Sequence, residues 1–198
     1  MKINSYFEDL VLQFSRLPGI GKRSARSMAN YIVTLDKAKA LQFAEAVINA
    51  KEHLRFCEKC FNLTENRYCE ICESNKRDSS LLMIVENYKD IQFIEEAGFF
   101  NGIYHVLGGL LNPLDGVTAS MLKVSDLEKR FEHESFSELI LGLPFSLEGD
   151  ATSLYILDIF EYRGIKITRP VKGIPVGGDL SHSDTITIRE SFLQRKQL

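Results

Sequence analysis

The hydrophobic positions change period along the chain. Between Phe7 and Val33 they recur at helical spacing: Phe7, Leu10, Val11, Phe14 and Leu17, then Ala25, Met28, Ala29, Ile32 and Val33. The break between the two runs is Leu17-Pro18-Gly19-Ile20-Gly21. A third helix is expected from Asp36 to His53, with Asp36 as its N-cap. A cluster of cysteines follows, and then the polar stretch 73–80, which reads as a linker.

From residue 80 the texture is that of buried strands alternating with helices. Leu81 to Val85 is a short continuous apolar run, as in a parallel strand covered on both faces. Asp90 to Ala97 reads as a helix stopped at Gly98. Gly102 to Leu107 is a second strand, and Ser125 with Glu128 forms a capping-box pattern for a helix reaching Phe131. Glu138 to Leu141 is a third strand, Gly149 to Arg163 a helix stopped by Gly164, and Lys166 to Thr168 a fourth strand. This alternation predicts an α/β domain with a largely parallel sheet, whose sites form at the carboxyl ends of its strands.

Composition adds little to the fold but limits the function. The chain has 198 residues, 44% hydrophobic and 26% charged, in the range of an ordinary globular protein. No apolar run approaches the roughly 20 residues that span a bilayer, and acids occur early at Glu8 and Asp9, so a cytoplasmic protein is expected. The formal net charge of -3 excludes a strong general affinity for nucleic acid; any DNA contact must come from a local basic patch.

All four cysteines lie in one segment, spaced Cys57-x2-Cys60-x8-Cys69-x2-Cys72. Each Cys-x2-Cys pair turns two thiolates toward one point, and two pairs complete a tetrahedral set suited to Zn²⁺. With four protein ligands no position stays open for water, so one structural rather than catalytic zinc per chain is expected. A reducing cytosol argues against disulfides.

The glycine turn carries the second candidate chemistry. A helix beginning near Lys22 points its free N–H groups into the turn and suits a phosphate there. Gly19 and Gly21 can take positive φ and let another backbone come close. Arg16, Lys22, Arg23 and Arg26 surround the turn, and no acid occurs between Asp9 and Asp36. The pattern looks like a helix-hairpin-helix, which grips the DNA backbone without reading sequence; such a motif also serves dimerisation.

Three acids lie near expected strand ends: Glu86 after the first strand, Glu148 and Asp150 after the third. Together they could hold Mg²⁺, although acids are also favoured near helix N-termini for electrostatic reasons alone. His105, beside Val106 and Leu107, reads as a packed or hydrogen-bonded histidine rather than a metal ligand. Gly108-Gly109 lacks the Lys-Ser/Thr of a P-loop and reads as a turn. Tyr104, Phe99 and Phe100 read as core aromatics rather than base-stacking platforms.

The assembled order resembles the RecR family of bacterial recombination mediators over nearly the whole chain. The matching pieces are the hairpin 17–21, the four-cysteine finger with Asn62-Leu63-Thr64-Glu65, Ile84-Val85-Glu86, and the block from His105-Val106-Leu107-Gly108-Gly109 to Pro113-Leu114-Asp115-Gly116. Glu148-Gly149-Asp150-Ala151-Thr152 and Gly173-Ile174-Pro175-Val176-Gly177-Gly178 complete them. The resemblance implies a multi-part α+β protein: a helix-hairpin-helix domain at 1–55, a four-cysteine zinc finger at 56–73, a Toprim domain at 80–165, and a C-terminal segment at 166–198 for subunit contact. It further implies a DNA clamp, a homodimer that pairs into a ring-shaped homotetramer, acting with RecO and in some bacteria RecF to load RecA on single-stranded DNA. Catalytic Toprim domains use a Glu after the first strand and an Asp-x-Asp after a later one. Glu86 fits the first, but the Asp-x-Asp positions fall on Pro144 and Ser146, which cannot ligate metal as carboxylates do. The expectation is therefore no catalytic residue, with Glu86, Glu148 and Asp150 an acidic docking surface; the alternative is a metal-dependent nuclease or primase-like phosphoryl transferase. In the hairpin, Lys22-Arg23 stands where Pro-Lys is usual in the family, and Ser27 stands where a basic residue is frequent, with Arg26 one place earlier.

Overall fold

The amphipathic runs at the start of the chain become α1 (Ser5–Ser15) and α2 (Lys22–Thr34) in the computed structural model, which describes residues 5–195. Their seam is narrow. Ala25 and Ala29, one turn apart on α2, are fully buried and let α1 approach closely, while Phe7, Leu10, Val11 and Phe14 close over them. The third helix, α3 (Lys37–His53), starts as expected: the Asp36 carboxylate accepts the Lys39 N–H at 2.9 Å. It buries none of its residues, and Leu41, Phe43, Val47 and Ile48 are all exposed. The chain divides into two compact units after Leu54, and these helices make up the first.

The second unit begins with a two-stranded antiparallel ribbon, β1 (Arg55–Phe56) and β2 (Leu63–Thr64), and a single helical turn, α4 (Glu70–Glu73). Then come β3 (Leu81–Val85), α5 (Tyr88–Ala97), β4 (Ile103–Val106), α6 (Val124–His133), β5 (Glu138–Gly142), α7 (Leu147–Phe160), β6 (Lys166–Thr168) and α8 (Thr185–Leu193). The four longer-range strands form one parallel sheet in the order β4-β3-β5-β6, with Ile84 opposite both His105 and Leu141. β3 is central, and four of its five residues are buried, which is why its sequence is unbroken apolar. The pleat sends Leu82 and Ile84 to one face with Leu127, Leu139, Ile156 and Phe160, and Met83 and Val85 to the other with Ile91, Tyr104 and Val106.

Several boundaries differ from the sequence expectation for local reasons. The helix expected from Asp90 begins at Tyr88, because Asn87 and Asp90 form a reciprocal capping box. The helix expected from Gly149 begins at Leu147, capped by Ser146, whose Oγ accepts the Gly149 N–H at 3.1 Å. It ends at Phe160, and a 3₁₀ turn carries the chain to Gly164 at φ +69°. Ser125 is not a cap. It lies inside α6, which starts at Val124 because Leu122 and Val124 are drawn into the core and the Lys123 N–H is taken by the Leu107 carbonyl at 2.9 Å. Nor is 73–80 a slack linker. Arg77 pairs with Glu95 and donates to the Phe100 and Gly102 carbonyls, and the Asp78 N–H donates to the Asn101 carbonyl at 2.8 Å. Most of its residues are exposed, but Arg77 and Asp78 spend polar groups on fixing backbone.

Candidate metal centre and nucleic-acid interface

The four cysteine sulfurs lie within 4.8 Å of one another. Zn–S bonds of about 2.3 Å in a tetrahedron separate the sulfurs by about 3.8 Å, so this donor set fits zinc with small adjustment. Local backbone explains the convergence. Phe61 takes φ +63°, closing a tight turn in which its N–H donates to the Cys57 carbonyl at 3.0 Å, while the Cys57 N–H donates to the Asn62 carbonyl at 2.8 Å. The second pair is set by α4: Cys69 is its N-cap and Cys72 sits in its single turn. The Cys69 N–H donates to Cys57 Sγ at 3.3 Å, an interaction that favours a thiolate. Cys57, Cys60 and Cys69 are buried and Cys72 is half-buried.

The finger is fastened to the sheet. The Val106 N–H, at the end of β4, donates to the Cys60 carbonyl at 2.9 Å. Phe61 packs edge-on against His105, with ring centroids 5.5 Å apart, and the Lys123 ammonium lies 5.0 Å above the Phe61 ring. Ile71 packs against both cores of the sheet and against the cysteine cluster. His105 is fully buried, and its Nε2 meets the Lys123 carbonyl at 2.8 Å. Burial, and secondarily the Arg130 charge, push its pKa down to about 4, so it is a neutral packing histidine.

At the hairpin, the Ile20 N–H donates to the Leu17 carbonyl at 3.1 Å, and Gly19 takes φ +77°. Gly21 does not take positive φ: it is the extended N-cap of α2, at φ −77°. It has no side chain to cap with, so the first N–H groups of α2 stay free of protein partners of that kind. The four cations are not equivalent. Arg26 pairs with Glu8 at 3.0 Å and stacks on Phe7. Arg16 donates to the Gln13 side chain at 3.2 Å. Among the described residues, Lys22 and Arg23 have no acidic partner. The charge that faces outward is therefore concentrated at the start of α2.

The three acids do not form one site. Among the described residues, the four cysteines are the only gathered group of three or more metal-capable side chains, so a Mg²⁺ site built jointly by Glu86, Glu148 and Asp150 has no support. Glu86 continues β3, its carbonyl accepting the Gly108 N–H at 2.9 Å. Burial and the nearby Asp90 charge raise its carboxyl pKa. Glu148 stands in the first turn of α7, where hydrogen bonds from its own backbone and the Ser146 side chain hold its pKa down. Asp150 is engaged by Arg169 at 2.7 Å and, more distantly, by Lys172. Arg169 also donates to the Pro144 carbonyl at 2.7 Å and lies over Phe145. Asp90 and Arg169 were invisible as site neighbours in the sequence: one reads as a helix start and the other as a residue before Pro170, and only the fold brings them to these acids.

Models for the RecR helix-hairpin-helix, the RecR four-cysteine zinc finger domain and the Toprim domain match residues 7–51, 54–74 and 80–170. The Recombination protein RecR of Rubrobacter xylanophilus is 42% identical over 191 residues, 96% of each chain. The chain belongs to the RecR family. Proteins of the same name from Carboxydothermus hydrogenoformans and Acidothermus cellulolyticus are 39% and 38% identical, each alignment covering 96% of this chain. The finger of this RecR-family chain is a structural zinc site held by the four cysteines. No helix of the described residues is long and apolar enough to cross a membrane.

Proposed function

We propose that the chain is a non-enzymatic DNA clamp and mediator in recombinational DNA repair, working in the cytoplasm. Residues 1–55 grip the DNA backbone through the hairpin at Gly19 and Gly21 and through Arg16, Lys22 and Arg23, with Arg26 anchored beside them. The finger at 56–73 is structural, the Toprim domain at 80–165 presents Glu86, Glu148 and Asp150 to protein partners, and 166–198 contributes to subunit contact. Two chains pair, and two pairs close a ring. The clamp acts with RecO, and with RecF in bacteria that have it, to load RecA on single-stranded DNA.

The observation that carries this reading is α3, a helix of 17 residues with four large apolar side chains exposed and none buried. Such a helix lacks the tertiary packing that stabilises helices of this length, and a second copy of the chain supplies it. The outward charge of Lys22 and Arg23 supports backbone binding. Val171, Val176, Leu180 and Ile186 are exposed in the C-terminal segment, in keeping with subunit contact there. Against strand cleavage stand Pro144 and Ser146: the first gives its carbonyl to Arg169, and the second caps α7.

Light scattering, paired with retention on closed circular and linear DNA, tests the reading. A clamp gives a tetramer under some condition and slides off linear DNA faster than off circles. Monomers at all concentrations, equal retention on both DNAs, or Mg²⁺-dependent cleavage or synthesis by pure protein would overturn it.

A further inference from the structure

The four zinc ligands are unequally protected. Cys57, Cys60 and Cys69 are buried, and Cys57 Sγ is further covered by the Cys69 N–H. Cys72 is half-buried and lines a cavity of about 540 Å³ between the finger and α6. Lys59, paired with Glu134 at 2.8 Å, and Lys129, paired with Asp126 at 3.2 Å, share that cavity with His133 and Glu58, and it is open to solvent. Among the described residues a backbone N–H reaches Cys57 Sγ alone, so what sets Cys72 apart from all three of its neighbours is its smaller burial. Its partner within the knuckle is close. Cys69 is the N-cap of α4 and Cys72 lies three residues on, in the same helical turn. That spacing brings the two sulfurs to one side of the turn, and the cluster holds every pair of sulfurs within 4.8 Å.

We propose that Cys72 is an oxidation site through which peroxides open the zinc centre, Cys69 being the resolving thiolate. The Cys72 sulfur attacks one oxygen of hydrogen peroxide. The S–O bond forms, the O–O bond breaks, and hydroxide leaves. The sulfur is oxidised by two electrons to a sulfenic acid and the peroxide is reduced. The Cys69 thiolate then attacks the Cys72 sulfur, the S–S bond forms, the S–O bond breaks, and a second hydroxide leaves. Two thiolates and one peroxide give one disulfide and two hydroxides. The zinc site has lost two of its four ligands, and the ion is released. The hydrogen bond from Val106 to the Cys60 carbonyl ties this event to the end of β4, so the edge of the sheet beside the finger loosens with it. A thiol reductant and added zinc reverse the change.

The test uses the full chain as purified with zinc, exposed to graded hydrogen peroxide. Released zinc is followed with a chromogenic chelator, and thiols are mapped by differential alkylation and mass spectrometry. The expected result is a Cys69–Cys72 disulfide as the first product, one zinc released per disulfide, and recovery of both zinc and thiols with dithiothreitol and zinc. Cys72→His keeps a zinc ligand but removes the reactive sulfur, and should slow zinc release about tenfold. First modification at Cys57 or Cys60, or Cys72 oxidised with zinc retained, would overturn the proposal. The mapping in the unsubstituted chain decides this even if Cys72→His fails to hold the metal.

Discussion

The two units handle their apolar residues in opposite ways. The sheet unit covers both faces of β3 and fills two cores with large side chains such as Leu139, Ile156, Phe160 and Tyr104. The helical unit, among its described residues, buries only Val11, Ala25 and Ala29, and leaves the apolar side chains of α3 in solvent. A unit with a full core is stable on its own account, and its function has to be carried at an edge. A unit with a thin core and an uncovered helix is completed by something else, and its exposed groups are those that do the work. Stability should therefore reside in the sheet unit and its zinc finger, and binding in the helices.

Zinc removal probes that division most severely. Structural zinc contributes on the order of 10 kcal/mol to small fingers, and the segment between Phe56 and Glu73 has no core besides its cysteines. Chelation should abolish amide protection across the finger and at Val106, whose N–H is held by Cys60, while α1 and α2 keep theirs. Hydrogen exchange read by mass spectrometry measures both in one experiment. Equal loss of protection in α1 and α2 would break the comparison.

Core truncation comes next. Leu139→Ala, at a fully buried position on β5, should destabilise the sheet unit by about 2–5 kcal/mol in urea unfolding. Leu41→Ala, on the uncovered face of α3, should change the stability of dilute protein by less than about 0.5 kcal/mol. At high concentration it should weaken self-association instead, measured by sedimentation. A large loss for Leu41→Ala at every dilution would mean that α3 is already covered within one chain.

Acid reads the joint between finger and sheet. The fold holds His105 neutral, while the unfolded chain takes up a proton near pH 6.5. Its contribution is full above that pH and is lost as pH falls toward 4, about 3 kcal/mol in all. Glu95 and Glu138, whose pKa values are lowered by Arg77 and by Thr168 and Lys166, add their own losses only below about their ordinary value of 4.5. Between pH 6.5 and 4.5 the His105 loss adds to proton competition for the zinc thiolates. His105→Gln should remove the His105 share and leave the zinc share, as seen in urea midpoints across that window with zinc occupancy followed in parallel.

The sequence showed these features unevenly, and the reason is physical. Period and capping are local, so the parallel sheet, the Asp36 cap and the Cys-x2-Cys knuckles were legible in the residues themselves. What was not legible depends on distant partners. Arg77 reads as one polar residue among several, and becomes a structural cation only because Glu95 and two carbonyls meet it. Ser125 satisfies a capping pattern that the core overrides by drawing in Val124. The three acids share a place near strand ends, but Arg169 separates Asp150 from Glu86 in chemical role. The pairing of Arg26 was hidden in the sequence, because Glu8 lies outside the cation-rich stretch and reaches it only through helix packing.

That pairing gives the finest test of where the helical unit binds DNA. Each phosphate contact to duplex DNA lowers the slope of log affinity against log salt by about 0.9. Lys22→Ala with Arg23→Ala should lower affinity on every sequence alike and reduce the steepness of that slope by about 2. Arg26→Ala should change it far less, since Glu8 already compensates the charge. Glu8→Gln releases Arg26 from its ion pair and should make the slope steeper by up to about 1, at a stability cost below about 1 kcal/mol for an exposed pair. Fluorescence anisotropy over a salt series measures all three. If Arg26→Ala removes as much slope as the double substitution, Arg26 faces DNA despite Glu8, and the binding charge is not concentrated at the N-terminus of α2.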